Sequence, residues 1–378
     1  MVQDPFGDIP LFREIQRLLS SSSGPVNLEI AEQVATALAR GEGDPTPDPE
    51  TAGVFADAVH RATGIVAGYT RLAPDAPPST DVMTRTRWAS ETLRAWNWLL
   101  SRFAERLTAE MGRLASEEEG GAGLQQAFGG VGPLLLGMQT GTVVGHLARD
   151  VLARYDLPVP RDDDGTLFVI PANVDEVART YSFDRETLIG WVALREVTRA
   201  LLVAQIAWLA SYLRSLLTDV VDAIEIDAAD VERRFTELQE RGPAAMAEGI
   251  GTESVLPVAE TEPHRRSLSR LHAFLAVFDG YADHVAAQVD DAILGDTTII
   301  DEGMSRRDLS PSEGKTMLNS VLGLSVDPRL RTAGKTFCAA IVELRGMPAL
   351  GKVWEAPDNL PSTEEIRDPF QWMERVLQ

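Results

Sequence analysis

The chain has 378 residues, 44% hydrophobic, 24% charged and 6% aromatic, which is enough apolar material for a large core built as two or three sub-domains or one lobed domain. Its 35 Lys and Arg against 57 Asp and Glu leave a formal net charge of −22, with no basic stripe to offset it, arguing against nucleic acid and anionic membrane surfaces as partners. The single cysteine, Cys338, excludes an intrachain disulfide and a cysteine-built zinc finger, and it reads as a small buried hydrophobe.

The opening, MVQDPFGDIP, lacks the basic-then-apolar order of a signal peptide, so a soluble cytoplasmic protein is expected. Ile9–Leu19 and Asn27–Arg40 read as short amphipathic helices, the second capped by Asn27 and closed by Gly41. The Pro- and acid-rich stretch Gly41–Glu50 is a linker, and a helix follows through Phe55, Val59 and Val66. The spacing of Trp88, Leu93, Trp96, Leu100, Phe103 and Leu107 predicts one long helix over Arg87–Ala115, with its tryptophans (Trp98 included) in the core rather than in a ligand box. Gly132–Tyr155 is a further helix, too interrupted by Gly132, Pro133, Gln139 and His146 to span a membrane. Its glycines 137, 141 and 145 form a smooth stripe that lets another helix approach closely, which fits packing against the apolar helix around Trp191 or against another partner, and His146 reads as a core residue. Asp162 and Asp164 lie in a solvated turn that lacks the other ligands of a calcium loop. Thr166–Ile170 is the best strand, Ala172–Thr180 a short helix, and Ser182 or Asp184 the cap of the helix that contains Trp191.

The run Trp191–Leu209, WVALREVTRALLVAQIAWL, is apolar nearly all round and belongs at the centre of the fold. Its helix is expected over about residues 183–218, running on towards Val221. Three ions interrupt it, Arg195, Glu196 and Arg199, and buried charges are costly unless paired. Their spacing is that of H-E-x-x-H, in which two His residues one turn apart hold zinc and the Glu acts as general base. A guanidinium stays protonated and offers no lone pair, so arginine cannot ligate zinc. Alone, REVTR is an ordinary helix segment.

Downstream, DAIEIDAADVERR begins an amphipathic helix, Arg241–Pro263 is a surface loop, and Arg266–Ile293 is a helix containing FDGYADHV. Ser305–Ser310 reads as a charged turn, and Leu318–Leu324 and Arg331–Arg345 as helices. No phosphate-binding loop, G-x-S-x-G elbow or dinucleotide fingerprint is present, and the histidines (His60, His146, His264, His272, His284) form no i, i+4 pair.

Several segments together carry a resemblance: the FGDIPLF opening, FVIPANVDE, WVALREVTR, FDGYADHV, and the tail pattern W-x-x-P-x-x-L-P-x-x-x-E-I-x-x-P-x-x-W from Trp354 to Trp372. The sequence resembles a bacterial zincin-like hydrolase family, some of whose members are associated with deazaflavin coenzyme biosynthesis. The resemblance implies a mainly α, zincin-like metallopeptidase-type fold with a small β element. It divides into an N-terminal helical region, 1–165, and a zincin-like region, 166–378. It implies zinc in the family, held at the positions of Arg195, Arg199 and Asp279 (Asp where the family has Glu), with Glu196 at the general-base position and Asp283 and His284 matching the rest of the motif. Zinc is therefore expected to be absent here. Arg195 and Arg199 would form an ion-pair cluster, Glu196 reaching Arg199 and Arg195 reaching Asp279. The expected function is that of a catalytically inactive homologue acting as a binding, scaffold or regulatory protein, with a protein or peptide partner such as an active relative. The alternative is an active metal-dependent hydrolase or peptidase with non-standard ligands drawn from Asp279, Asp283, His284 and His272.

Overall fold

The computed structural model describes residues 24–117, 121–226, 259, 261–289 and 294–377. The expected helix Ile9–Leu19, the FGDIPLF segment and most of the expected 222–234 helix and 241–263 loop lie outside the described residues. Helices α1 (Leu28–Arg40), α2 (Pro49–Thr70), α3 (Arg85–Ala95), α4 (Asn97–Glu117) and α5 (Gly121–Ala148) precede α6 (Pro171–Tyr181), α7 (Arg185–Gln205) and α8 (Leu209–Asp222). Then come α9 (Glu262–Val289), α10 (Thr298–Leu309), α11 (Glu313–Leu322), α12 (Pro328–Arg345), α13 (Met347–Gly351), α14 (Thr363–Arg367) and α15 (Pro369–Val376). Among the described residues the only sheet is a parallel pair, β1 (Thr80–Val82) and β2 (Leu167–Val169), in register Thr80↔Leu167. The fold is mainly α with a small β element, as the sequence predicts.

Many helix starts follow local chemistry. Asn27, Asp48, Thr84, Asp184, Ser312 and Asp327 each accept a backbone N–H of the helix they precede. Asp184 caps α7, whereas Ser182 ends α6 in the left-handed region at φ 57°.

Four expectations give way to tertiary structure. The helix expected over Arg87–Ala115 breaks at Trp96, whose buried ring meets Trp88 edge-on at 6.2 Å. The central helix does not run on to about residue 218. It stops at Gln205, Ile206 turns extended, and α8 leaves at 97°. Trp208 pins that corner by donating its indole N–H to the Trp354 carbonyl. The glycine stripe of α5 packs on α1, not on α7: a Cβ on Gly137 would stand 2.4 Å from the Asn27 carbonyl oxygen, and one on Gly141 2.6 Å from that of Ala31. Ser305–Ser310 is not a turn, since α10 runs through to Leu309.

α7 lies at the centre, packed on α2 and α9, with Leu188, Val197, Leu201 and Leu202 sealed from solvent. Cys338 is buried and free, as expected of a small hydrophobe. Pro171 starts α6 straight after β2, and two residues on, the buried Asn173 amide donates to the carbonyls of Ala148 and Val151 and accepts from Arg85 Nε. One side chain thereby fixes the turn at residues 148–157, which forms a wall of the candidate site. No single described helix is long and apolar enough to cross a membrane; α7 and α8 pass such a test only as a bent pair.

Candidate functional site

The three ions of α7 lie inside the protein. Arg195 is 4% exposed and Glu196 5%. α9 faces them with Asp279 and Asp283, one turn apart on one helix face. The two helices are antiparallel here, so the pairs cross in order: Arg195 Nε donates to Asp283 Oδ1 at 2.9 Å, and Arg199 to Asp279 Oδ1 through Nε at 3.1 Å and Nη2 at 2.9 Å. The expected Arg195–Asp279 contact is thus replaced by Arg195–Asp283, because Asp279 lies opposite the later arginine.

Arg195 has a further partner. Its Nη2 donates to Asp301 Oδ1 at 2.9 Å, from the first turn of α10. The same oxygen accepts the Trp191 indole N–H at 2.8 Å. Trp191 stands one turn before Arg195, and the guanidinium carbon lies 3.6 Å from its ring centroid, a cation–π stack that fixes the guanidinium plane.

Glu196 takes its firmest contact from the backbone: Tyr155 N–H donates to Oε2 at 2.8 Å. Arg199 Nη1 stands 3.7 Å from Oε1, the i, i+3 approach expected from the sequence. Burial pushes the Glu196 carboxyl up to about 7, outweighing the attraction of Arg199 and the Tyr155 hydrogen bond. Burial pulls on Arg199 in the opposite sense, but Asp279, Glu196 and Asp283 overcome it and hold the guanidinium firmly protonated.

Trp191, Arg195, Glu196, Arg199, Asp279 and Asp283 line a cavity of about 270 Å³, as do Asp156 and Lys315. Lys315 Nζ approaches Asp150 at 3.2 Å and Asp156 at 3.6 Å, and Arg307 of α10 bonds Asp150. Burial raises the Asp156 carboxyl, but Lys315, Arg307 and the Leu152 N–H outweigh it and hold it below the usual carboxylate range.

Glu196, Arg195, Arg199, Asp279 and Asp283 therefore converge. His284 does not: it is buried on the other side of α9, 3.3 Å from the Tyr69 hydroxyl, where burial and Lys335 lower its pKa. His272 contacts the Gly323 carbonyl oxygen at 2.6 Å. Sequence reasoning missed Asp301, Tyr155 and Lys315. Trp191 was open to recognition, being one helical turn from Arg195, whereas Asp301 is an ordinary first-turn acid 106 residues away.

Residues 26–373 match the zincin-like metallopeptidase family. The chain belongs to that family. The fold of this zincin-like protein also matches a crystal structure described as "a putative hydrolase with a novel fold from Chloroflexus aurantiacus", with a TM-score of 0.68, 23% identity, and coverage of 93% of this chain and 99% of that one. No curated protein matches the sequence.

The family name implies a zinc ion, and the residues present do not fit one. Asp279 is in contact with the Arg199 guanidinium and Asp283 with that of Arg195. A catalytic zinc site takes three lone-pair donors, and among the described residues no group of three His, Cys, Asp or Glu is arranged to hold a metal.

Proposed function

We propose that this zincin-like protein is a non-catalytic homologue that acts as a binding, scaffold or regulatory protein, its cavity serving to engage a peptide or protein partner. The observation that carries this reading is the pairing of Arg195 and Arg199 with carboxylates of α9 in the interior. At the positions that resemble H-E-x-x-H, two fixed positive charges balance acids that an ion of charge two would balance in a zincin. Opposite charges about 4 Å apart attract by roughly 4 kcal/mol at an effective dielectric near 20, before desolvation is subtracted. Without a metal to polarise water, Glu196 lacks the partner with which a zincin base works. Zinc titration followed by calorimetry, together with a peptide-hydrolysis assay in added zinc, tests the reading. The expected result is neither tight binding nor turnover.

A hydrolase reading draws on one observation: Glu196, on the cavity wall, is poised near 7 and could exchange protons at neutral pH. On that reading, hydrolysis would be measurable and would disappear in Glu196→Gln.

A further inference from the structure

We propose that Arg195 and Trp191, which line the cavity, form a carboxylate-binding site that Asp301 fills from within the chain, making the start of α10 a displaceable cover over these two side chains at the cavity's edge; the external ligand is a peptide bearing a free carboxylate. The inference rests on the reading of the cavity as a binding site.

The receptor is preformed. Arg195 is 4% exposed, its plane is set by the Trp191 ring at 3.6 Å, and its Nε is committed to Asp283 on the long helix α9. Nη2 and the Trp191 indole N–H converge on one carboxylate oxygen, Asp301 Oδ1, at 2.9 and 2.8 Å. A planar guanidinium with a neighbouring N–H is the chemistry that recognises carboxylates.

The present occupant fills this receptor incompletely. Arg195 Nη1 is buried and has no hydrogen-bond partner. Leaving such a donor unpaired is costly. Asp301 reaches Arg195 with one oxygen only; its other oxygen lies 3.3 Å from the Thr297 hydroxyl at the start of its own helix. A ligand carboxylate free of that tether could cover Nη1 and Nη2 together.

The occupant also sits on a helix that packs extensively on no single described helix. Ile300 and Met304 enter the core and Gly303 abuts the Phe183 ring, but Ile299 and Leu309 are 66% and 65% exposed. Arg307 ties its C-terminal end to Asp150; at the other end Thr297 and Ile300 are buried, and what a competing carboxylate releases is the contact of the 37%-exposed Asp301 side chain.

The test compares wild type with Asp301→Asn, both checked for thermal unfolding temperature. Each is titrated with acetyl-Ala-Ala (a terminal carboxylate), acetyl-Asp-amide (a side-chain carboxylate) and acetyl-Ala-Ala-amide, with calorimetry and tryptophan fluorescence as readouts. Removing a tethered competitor is expected to tighten acetyl-Ala-Ala binding by about tenfold or more. The amide should not bind, and adding Arg195→Gln should abolish the gain; the acetyl-Asp-amide arm tells which carboxylate source is preferred. Equal binding of acid and amide, or no gain in a variant that unfolds at the wild-type temperature, overturns the proposal. Should Asp301→Asn be misfolded, hydrogen exchange on wild type decides: acetyl-Ala-Ala at millimolar concentration should speed exchange in residues 298–303, and unchanged exchange refutes the cover. Zinc is assayed in the same preparations. Stoichiometric zinc would overturn the non-catalytic reading whatever the carboxylates do, so the two failures are separable.

Discussion

Replacing Glu196 by Gln should stabilise the protein at neutral and alkaline pH while leaving it nearly unchanged in mild acid. In the folded state the carboxyl titrates at about 7, against 4.5 for the free side chain. The folded value is raised, so the folded state holds its proton over a range in which the unfolded chain has released it. Stability from this group is complete below about 4.5, falls as pH rises, and levels off above about 7. A shift of this size corresponds to about 3 kcal/mol, at roughly 1.4 kcal/mol per pH unit across the window. The attraction of Arg199 works the other way, but its closest contacts go to Asp279 and its Nη1 remains 3.7 Å from Glu196, so burial dominates. The substituted glutamine would not ionise, could still accept the Tyr155 N–H, and would leave the Arg199–Asp279 pair in place. Urea unfolding of both proteins at several pH values between about 4 and 8 measures the difference directly. The two curves should coincide at the acid end and diverge by about 2–3 kcal/mol at the alkaline end, in favour of the variant. A variant less stable than wild type at about pH 8 would refute the reasoning, since it would mean that the ion pair outweighs the cost of burying the charge.

Arg199→Met should cost about 3–5 kcal/mol in urea unfolding near neutral pH, because Asp279 and Glu196 lose the cation between them; a loss below about 1 kcal/mol would mean that water screens the cluster. Gly334→Ala should lower the unfolding temperature markedly, since its Cβ would stand 2.0 Å from the Ala276 carbonyl oxygen, where α12 crosses α9 one turn before Asp279. Overpacking of this kind typically costs about 1–3 kcal/mol, and an unchanged unfolding temperature would contradict so close a crossing. The double variant Arg195→His, Arg199→His offers one imidazole on the Asp283 side and one facing Asp279; calorimetry should detect zinc binding that disappears on adding Asp279→Ala, with modest affinity because the surrounding hydrogen bonds serve guanidinium groups.

The central helix and its three ions were legible because an all-round apolar run can tolerate charge only in pairs, and all three ions lie in the interior, paired. Asp279 was legible from FDGYADHV, and the i, i+3 approach of Arg199 to Glu196 from helical geometry alone. The pairing across the two helices was not, because which arginine meets which aspartate depends on the antiparallel register of α7 and α9, and periodicity within each helix says nothing of that. Asp301 was illegible for a related reason: its role arises from where α10 docks, and its sequence is that of any helix with an acid in its first turn. The breaks at Trp96 and Gln205 also have tertiary causes, a ring packed edge-on against Trp88 in one case and an indole bonded to a carbonyl 146 residues away in the other. The glycine stripe of α5 announced a close helix neighbour but carried no information about which helix it would be.

Guanidinium charge standing where a zincin holds its ion is the central claim. Elemental analysis of protein purified without chelator and dialysed against a slight excess of zinc tests it most directly. Zinc is expected far below one equivalent, unchanged by Asp279→Ala. One equivalent of zinc that is lost in Asp279→Ala would contradict the claim.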